Sequence, residues 1–112
     1  MTRLVALAGV AWLGCSSAAA AAPGAKDPCA LRLREYDAVR AAAPGRCAAD
    51  RDCACYSDIR MDNEMHVSDK ASAARLQRLA DAYRKRGCPT ACVQVVPVKC
   101  RPACRAGTCK GP

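Results

Sequence analysis

The stretch DRDCACY, residues 50–56, places Cys53 and Cys55 one residue apart in a chain of 112 residues that contains ten cysteines. Such spacing is compatible with metal binding, with redox chemistry and with structural crosslinking. A one-residue spacer more often sends two cysteines to different partners than to each other, because a disulfide needs a particular separation and direction of its two Cα–Cβ vectors. We therefore expect two separate disulfides to leave this stretch.

The N-terminal residues 1–22 are typical of an export signal and not of a folded domain. Residues 4–13 form an uninterrupted apolar run after a single positive charge. This run is too short to span a bilayer as a helix but suits the centre of a secretory signal peptide. The sequence predicts one cysteine-rich domain over residues 23–112, exported to the periplasm, to the outer membrane or out of the cell.

Two routes of processing fit the residues around the end of the apolar run. Small residues around Ala18 and Ala20 suit ordinary signal peptidase. The tetrapeptide WLGC, residues 12–15, is similar to a bacterial lipobox; Cys15 would then carry a lipid and the alanine-rich segment after it would be a tether. Both routes deliver the domain to an oxidising compartment, where disulfides persist.

The predicted domain has little material for a hydrophobic core. It contains eleven Leu, Ile and Val residues and no Phe, and its net charge is +7 once Arg3 is removed from the chain total of +8. Few aliphatic side chains and a high charge ordinarily predict disorder. The density of cysteines overturns that prediction, because each disulfide contributes about 2–4 kcal/mol. We expect a small disulfide-rich α+β fold, mainly α, in which about four disulfides pin two helices to a short irregular strand pair.

The disulfide candidates are the nine cysteines of the predicted domain: Cys29, Cys47, Cys53, Cys55, Cys88, Cys92, Cys100, Cys104 and Cys109. Because nine is odd, one of them has no partner within the domain, or pairs between chains. Spacing alone does not fix the connectivity of so many cysteines.

Two segments of the domain predict helices. In residues 26–47 Asp27 can cap the first turn, and the Pro44–Gly45 pair stops the helix. In residues 68–89 either Ser68 or Asp69 can act as the cap. The second helix carries an apolar stripe at helical spacing, made of Leu76, Leu79, Ala80 and Tyr83.

The remaining segments predict strands and turns. Residues 53–67 indicate a strand, a polar turn at residues 62–64 and a short second strand. Residues 92–100 are β-branched and indicate a strand that Pro97 restricts to a sheet edge or a bulge. The C-terminal tail CRPACRAGTCKG is interpreted as a series of turns.

The order of these motifs resembles a known class of proteins. A helix opening with CAL and EYDA, then RC and DCAC, a second helix that ends in GCP, and a tail ending in GTC span roughly residues 27–110. This pattern resembles small cysteine-rich exported proteins and lipoproteins of Gram-negative bacteria with GC-rich genomes, such as myxobacteria. That class has no assigned activity, so the resemblance gives no residue a role.

Packing of the two helices predicts one disulfide. If the helices are antiparallel, the start of the first lies near the end of the second, and Cys29 comes within bonding distance of Cys88. A shift in register would replace Cys88 by Cys92. The same arrangement directs Cys47 toward the strand that holds Cys53 and Cys55.

Metal and redox chemistry are alternative uses of the cysteines. Cys53, Cys55 and His66 offer soft ligands, and Cys88 with Cys92 offers another pair, but neither set has the matched spacing of a structural zinc site. Both cysteines of the second pair follow a helix C-terminus, which does not favour the thiolate that redox catalysis requires. We therefore expect structural disulfides, no cofactor and no metal, with His66 exposed or packed on a strand.

The second helix, over residues 69–86, is strongly basic. Its cations could favour an anionic surface or an acidic protein partner. The domain has only three tyrosines for stacking on bases, so nucleic acid is not expected as the partner. The cations concerned are Arg75, Arg78, Arg84, Lys85 and Arg86.

A protease inhibitor is the alternative function. The loops between Cys100 and Cys109 contain Arg101 and Arg105, and Pro102 blocks cleavage after the first of these, which leaves Arg105 as the candidate. The sequence contains neither a hydrolase motif nor a phosphate-binding loop. We expect a non-catalytic binding or structural module and no enzyme.

Overall fold

A computed structural model describes residues 27–61, 64–91 and 99–111. The four strands of this part of the chain form two antiparallel pairs, β1 with β2 and β3 with β4. With two helices and several disulfides, the predicted small α+β class is confirmed. In chain order the elements are α1 (Pro28–Ala42), a single 3₁₀ turn (Asp50–Asp52), β1 (Cys53–Ser57), β2 (Met65–Asp69), α2 (Lys70–Lys85), β3 (Ala103–Arg105) and β4 (Thr108–Lys110).

Helix α1 begins where the sequence predicts. The Asp27 side chain accepts a hydrogen bond of 2.9 Å from the backbone N–H of Cys29. Pro28 opens the helix, where its missing N–H costs nothing. The helix ends one residue before Ala43, whose backbone is extended.

Asp69 caps helix α2 and ties its start to the segment that follows α1. Its carboxylate accepts hydrogen bonds from the backbone N–H and the hydroxyl of Ser72, at 3.1 and 2.9 Å, and from the backbone N–H of Gly45 at 3.1 Å. The buried stripe of α2 is turned slightly from the predicted one, because Leu79 is only partly buried while Ala73 is fully buried. The fully buried residues of α2 are Ala73, Leu76, Ala80 and Tyr83.

The hydrogen bonds at Asp69 predict a dependence of stability on pH. Burial alone would raise the pKa of this carboxyl, but the hydrogen bonds from Ser72, Gly45 and Ser68 outweigh burial and hold its pKa below the usual value. The charged carboxylate therefore stabilises the fold above its unfolded pKa of about 3.9, and this contribution is lost as pH falls through the lower folded pKa.

We expect Asp69→Asn to lower the free energy of unfolding at neutral pH by on the order of 1 kcal/mol, since the amide oxygen can keep the bonds of one carboxylate oxygen, whereas the amide nitrogen cannot accept those of the other and the charge is lost. The difference from the wild type should shrink as pH falls through the lowered pKa of the folded state. Urea unfolding between acid and neutral pH measures it. The matched control is Asp81→Asn, at an exposed position of the same helix; equal pH profiles for wild type and Asp69→Asn would contradict the prediction.

The core lies between the two helices and the β1–β2 pair, and tyrosines make up much of it. Tyr36, Tyr56 and Tyr83 are all nearly inaccessible to solvent, and Ile59 and Leu76 are the other large buried side chains in the part of the chain that the structure describes. Burial is the largest cause that raises the pKa of each tyrosine hydroxyl. The core can therefore contain these rings only as neutral phenols, whose polar ends need partners.

Two of these hydroxyls bond to backbone carbonyls at the edge of the core. The Tyr36 hydroxyl donates to the carbonyl of Ser57 at 2.8 Å, and the Tyr83 hydroxyl donates to the carbonyl of Pro89. Each bond fastens a helix to a segment outside it.

The structure contains the predicted disulfide between Cys29 and Cys88, with their Cα atoms 5.7 Å apart. This bond joins the start of α1 to the residue beyond Gly87, whose positive φ of 77° ends α2. Together with the hydrogen bond between Gly45 and Asp69 at the opposite ends, it fixes the helices antiparallel.

The two cysteines of the DRDCACY stretch bond to different partners, as expected. Cys53 bonds to Cys109 and Cys55 to Cys100, and the fourth described disulfide joins Cys47 to Cys104. All three tie the C-terminal tail to the region of β1.

The C-terminal tail is a β-hairpin, so its interpretation as a series of turns is wrong. In β3–β4 Cys104 lies directly opposite Cys109. The turn consists of Ala106 and Gly107, both at positive φ (51° and 77°). Two successive residues with positive φ favour a tight hairpin connection, because the turn then matches the twist of the strands. Alanine rarely adopts a positive φ, so an alanine in the sequence does not predict a turn of this kind.

Several predictions fall outside the described residues. The export signal with Cys15, the residue Cys92 and most of the predicted strand that follows it are among them. Within the described part of the chain, neither helix is long and apolar enough to cross a bilayer.

Candidate functional site

The structure excludes Cys53 and Cys55 as metal ligands. Cys53 and Cys55 are both in disulfides, and no cysteine in the described ranges is free. A disulfide sulfur offers no thiolate to a metal ion. The sequence-based grouping of these two residues with His66 is therefore not a ligand set.

His66 instead lies beside the loop between β1 and β2. In the strand register it is opposite Tyr56, and the centroids of the two rings are 5.6 Å apart. Its Nε2 atom is 2.7 Å from Oδ2 of Asp58 and 4.0 Å from Oε1 of Glu64. The chain thus brings together one imidazole and two carboxylates, which we call the Asp58–Glu64–His66 cluster.

Asp58 organises the loop that it begins. Its Oδ1 atom accepts the backbone N–H groups of Arg60 and Met61 at 2.8 and 3.0 Å, and its own N–H donates to the carbonyl of Glu64 at 2.9 Å. Burial would raise the pKa of this carboxyl, but hydrogen bonds from His66 and from the two backbone groups hold the pKa below its usual range. An ionised Asp58 next to His66 follows from this arrangement.

The loop is also fastened to both helices. Arg60 forms a bidentate pair with Asp37 of α1, with nitrogen–oxygen distances of 2.8 and 2.7 Å. Arg84 of α2 donates to the backbone carbonyl of Asp58. Contacts with both helices therefore hold Asp58 and Arg60, next to the cluster, in place.

Sequence analysis singled out His66 but missed its carboxylate neighbours. The only sequence feature that could have indicated these neighbours was the strand–turn–strand pattern. It places residues on either side of the turn close together, but the identity of the neighbours depends on the exact register.

The second candidate site is the exposed side of α2, which we call the basic face. The cations Lys70, Arg78 and Lys85 occupy it, all exposed, and Asp81 is the acidic residue among them. Between them lie the exposed Ala71 and Ala74, whose short side chains leave the cations protruding.

Two further arginines flank the basic face. Arg75 is turned toward α1, where it lies 3.9 Å from Glu35, and Arg86 follows the last turn. Within the described residues, no ion pair involves Lys70, Arg78 or Lys85. The cations of the basic face are thus available to an external anionic partner.

Arg105, the candidate inhibitor residue, is exposed as the last residue of β3. The residue after it, Ala106, has a φ of 51° and starts the turn of the hairpin. The Arg105–Ala106 peptide bond is therefore at a sharp reversal of the chain, whereas a protease cleft receives its substrate in an extended conformation.

Comparison with known proteins identifies no relative: no family model matches the chain, and neither the curated proteins nor the solved structures contain a significant match.

Proposed function

We propose that this protein is an exported, non-catalytic binding module that docks on an anionic membrane surface through the basic face of α2. The observation that carries the proposal is the cluster of exposed cations, free of ion pairs, on the side of α2 opposite its buried stripe. The disulfides support export, because crosslinks of this number are typical of oxidising compartments.

The basic face has the dimensions of a membrane contact. Lys70 and Lys85 are fifteen positions apart, so its cations extend over about 22 Å of a straight helix. Each Lys or Arg near an anionic surface contributes about 1 kcal/mol. Because the helix is pinned at both ends by the Cys29–Cys88 bond and the Asp69 cap, the cations are presented together.

Burial of the aromatic side chains favours a membrane over single-stranded nucleic acid. Tyr36, Tyr56 and Tyr83 all lie in the core and offer no ring for stacking on bases. Binding to anionic lipid headgroups requires positive charge but no aromatic ring for stacking.

A lipid on Cys15 would strengthen this docking. A polybasic patch commonly acts as a second membrane signal beside a lipid anchor. In this proposal the alanine-rich segment would connect the lipid to the domain, whose basic face would then lie against the headgroups.

The inhibitor alternative has less support. The reversal of the chain after Arg105 disfavours presentation of that peptide bond to a protease. Inhibition of a trypsin-like protease by the wild-type protein, lost in Arg105→Ala, would reinstate it.

Sedimentation with lipid vesicles tests the proposal. We expect the purified protein to bind vesicles that contain phosphatidylglycerol and not vesicles of phosphatidylcholine, with binding that weakens as salt shortens the Debye length to about 10 Å at 0.1 M. The double variant Arg78→Gln/Lys85→Gln should bind about 30-fold more weakly, which corresponds to two cations of about 1 kcal/mol each.

The control removes the same charge elsewhere. Arg105→Gln/Lys110→Gln changes two exposed cations of the hairpin and should leave binding within about twofold of the wild type, since these residues are outside α2. Equal losses in the two double variants would mean that net charge acts and the basic face does not. Preference for single-stranded DNA over the vesicles would overturn the choice of partner.

A further inference from the structure

We propose that the Asp58–Glu64–His66 cluster is a binding site for a divalent transition-metal ion of the zinc class. Its three ligand atoms, one imidazole nitrogen and two carboxylate oxygens, all lie within 4.8 Å of one another. Nitrogen and carboxylate oxygen are ligands that Zn²⁺ accepts, and three protein ligands leave a fourth position for water.

The distances require small side-chain movements. Ligand atoms about 2.0 Å from a tetrahedral zinc ion are about 3.3 Å from one another. The contact between His66 Nε2 and Asp58 Oδ2, now 2.7 Å, would open, and the one between Nε2 and Glu64 Oε1, now 4.0 Å, would close. Each change is well under 1 Å, and the Glu64 side chain, 42% exposed, has room to make it.

The surroundings already orient the ligands. The backbone N–H groups of Arg60 and Met61 donate hydrogen bonds to Oδ1 of Asp58, which leaves Oδ2 directed at His66. The ring of Tyr56 packs against the imidazole and limits its rotation. Hydrogen bonds and packing of this kind position the ligands of metal sites.

The presence of Glu64 distinguishes between two interpretations of the cluster, a metal site and a purely structural His–Asp pair. Among the described residues, its carboxylate has no partner except the 4.0 Å approach to His66, so it does little to hold the loop. A structural pair would not need Glu64, whereas a three-ligand site would lose an oxygen without it.

Zinc binding also involves a proton. The ionised Asp58 can only accept a hydrogen bond, so Nε2 of His66 carries the hydrogen in the absence of the ion. To bind the ion through Nε2 the neutral ring changes tautomer: the proton leaves Nε2, Nδ1 takes one up from solvent, and the lone pair of Nε2 is then free for the ion, with no net release of protons.

The test is a titration of the untagged full-length protein with zinc chloride, followed by proton NMR. His66 is the only histidine of the chain, so its ring resonances report the site directly. We expect a single saturable shift at one equivalent of zinc, a rise in the melting temperature and no response to magnesium. A pH about one unit above the ordinary histidine pKa keeps competition by protons low.

The decisive variant is Glu64→Gln, which keeps the backbone carbonyl that Asp58 uses. We expect its metal-free melting temperature to equal that of the wild type and its zinc affinity to fall at least about tenfold. Glu35→Gln removes an exposed carboxylate of α1 and is the matched control, with unchanged zinc affinity.

His66→Gln should abolish the rise in melting temperature caused by zinc. Three results would each overturn the proposal: no zinc shift of the His66 resonances, wild-type affinity in Glu64→Gln, or an equal response to magnesium. The last would indicate a site for hard cations instead of the zinc class.

Discussion

Full reduction of the disulfides is expected to unfold this domain under conditions in which the oxidised protein melts cooperatively. The four described bonds join residues 45 to 59 positions apart. By the loop-entropy argument, closing one loop of this length destabilises the unfolded chain by about 4 kcal/mol. A domain of this size has a net stability of about 5–15 kcal/mol, so the loss of several such constraints exceeds what remains.

The composition of the core gives the second reason for this result. Among the described residues, the large buried side chains include three tyrosines but only two aliphatic residues, Ile59 and Leu76. Such a core buries little apolar area compared with the chain entropy that folding must overcome. Circular dichroism before and after complete reduction and alkylation is the measurement, and a cooperative melt that survives alkylation would contradict the prediction.

Paired substitutions separate the four bonds. Replacing Cys29 and Cys88 by alanine should loosen the helix pair, whereas replacing Cys47 and Cys104 should loosen the C-terminal hairpin. We expect replacement of Cys29 and Cys88 to lower the melting temperature more, because Cys88 is buried in the hydrophobic core. Amide hydrogen exchange would show which segment opens in each variant.

Leu76→Asp is expected to prevent folding. Leu76 is completely inaccessible to solvent in the middle of α2. An aspartate there would place a carboxylate among apolar groups without a partner, at a cost that is added to the lost burial of the leucine. The sum is about 4–5 kcal/mol or more, which is most of the stability of a small domain.

Two neighbouring positions serve as comparisons for Leu76. Leu79→Asp should destabilise less, because Leu79 is only partly buried although the sequence places it in the same apolar stripe as Leu76. Arg78→Asp should stay within about 0.5 kcal/mol, since Arg78 is exposed. Thermal melts of the three proteins provide the measurement, and similar losses in all three would mean that the buried side of α2 is misidentified.

Local rules acting on a few neighbouring residues account for part of what sequence analysis predicted correctly. The cap at Asp27, and the cap offered by Ser68 or Asp69, of which the structure uses Asp69, are set by residue types at fixed places relative to each helix. The pairing of Cys29 with Cys88 followed from a condition on packing and not from a local rule: if the helices are antiparallel those ends meet, and of the two candidates Cys88 and Cys92 the structure uses Cys88.

The Ala106–Gly107 turn escaped prediction for a physical reason. An alanine at positive φ is held there by strand pairing and by the disulfides of Cys104 and Cys109, and alanine itself does not favour that conformation. Tertiary constraints therefore decided that the tail is a hairpin.

By itself, the sequence determined the class of this protein. A thin apolar core combined with nine cysteines in the domain permits only a crosslinked fold, and helical periodicity with capping residues places its two helices. Only the tertiary structure decided the links from Cys47, Cys53 and Cys55 to the tail and the meeting of His66 with two carboxylates. The disulfides depend on distances between segments remote in sequence, whereas the cluster depends on strand register, because a shift of one residue would turn His66 to the other face of the sheet.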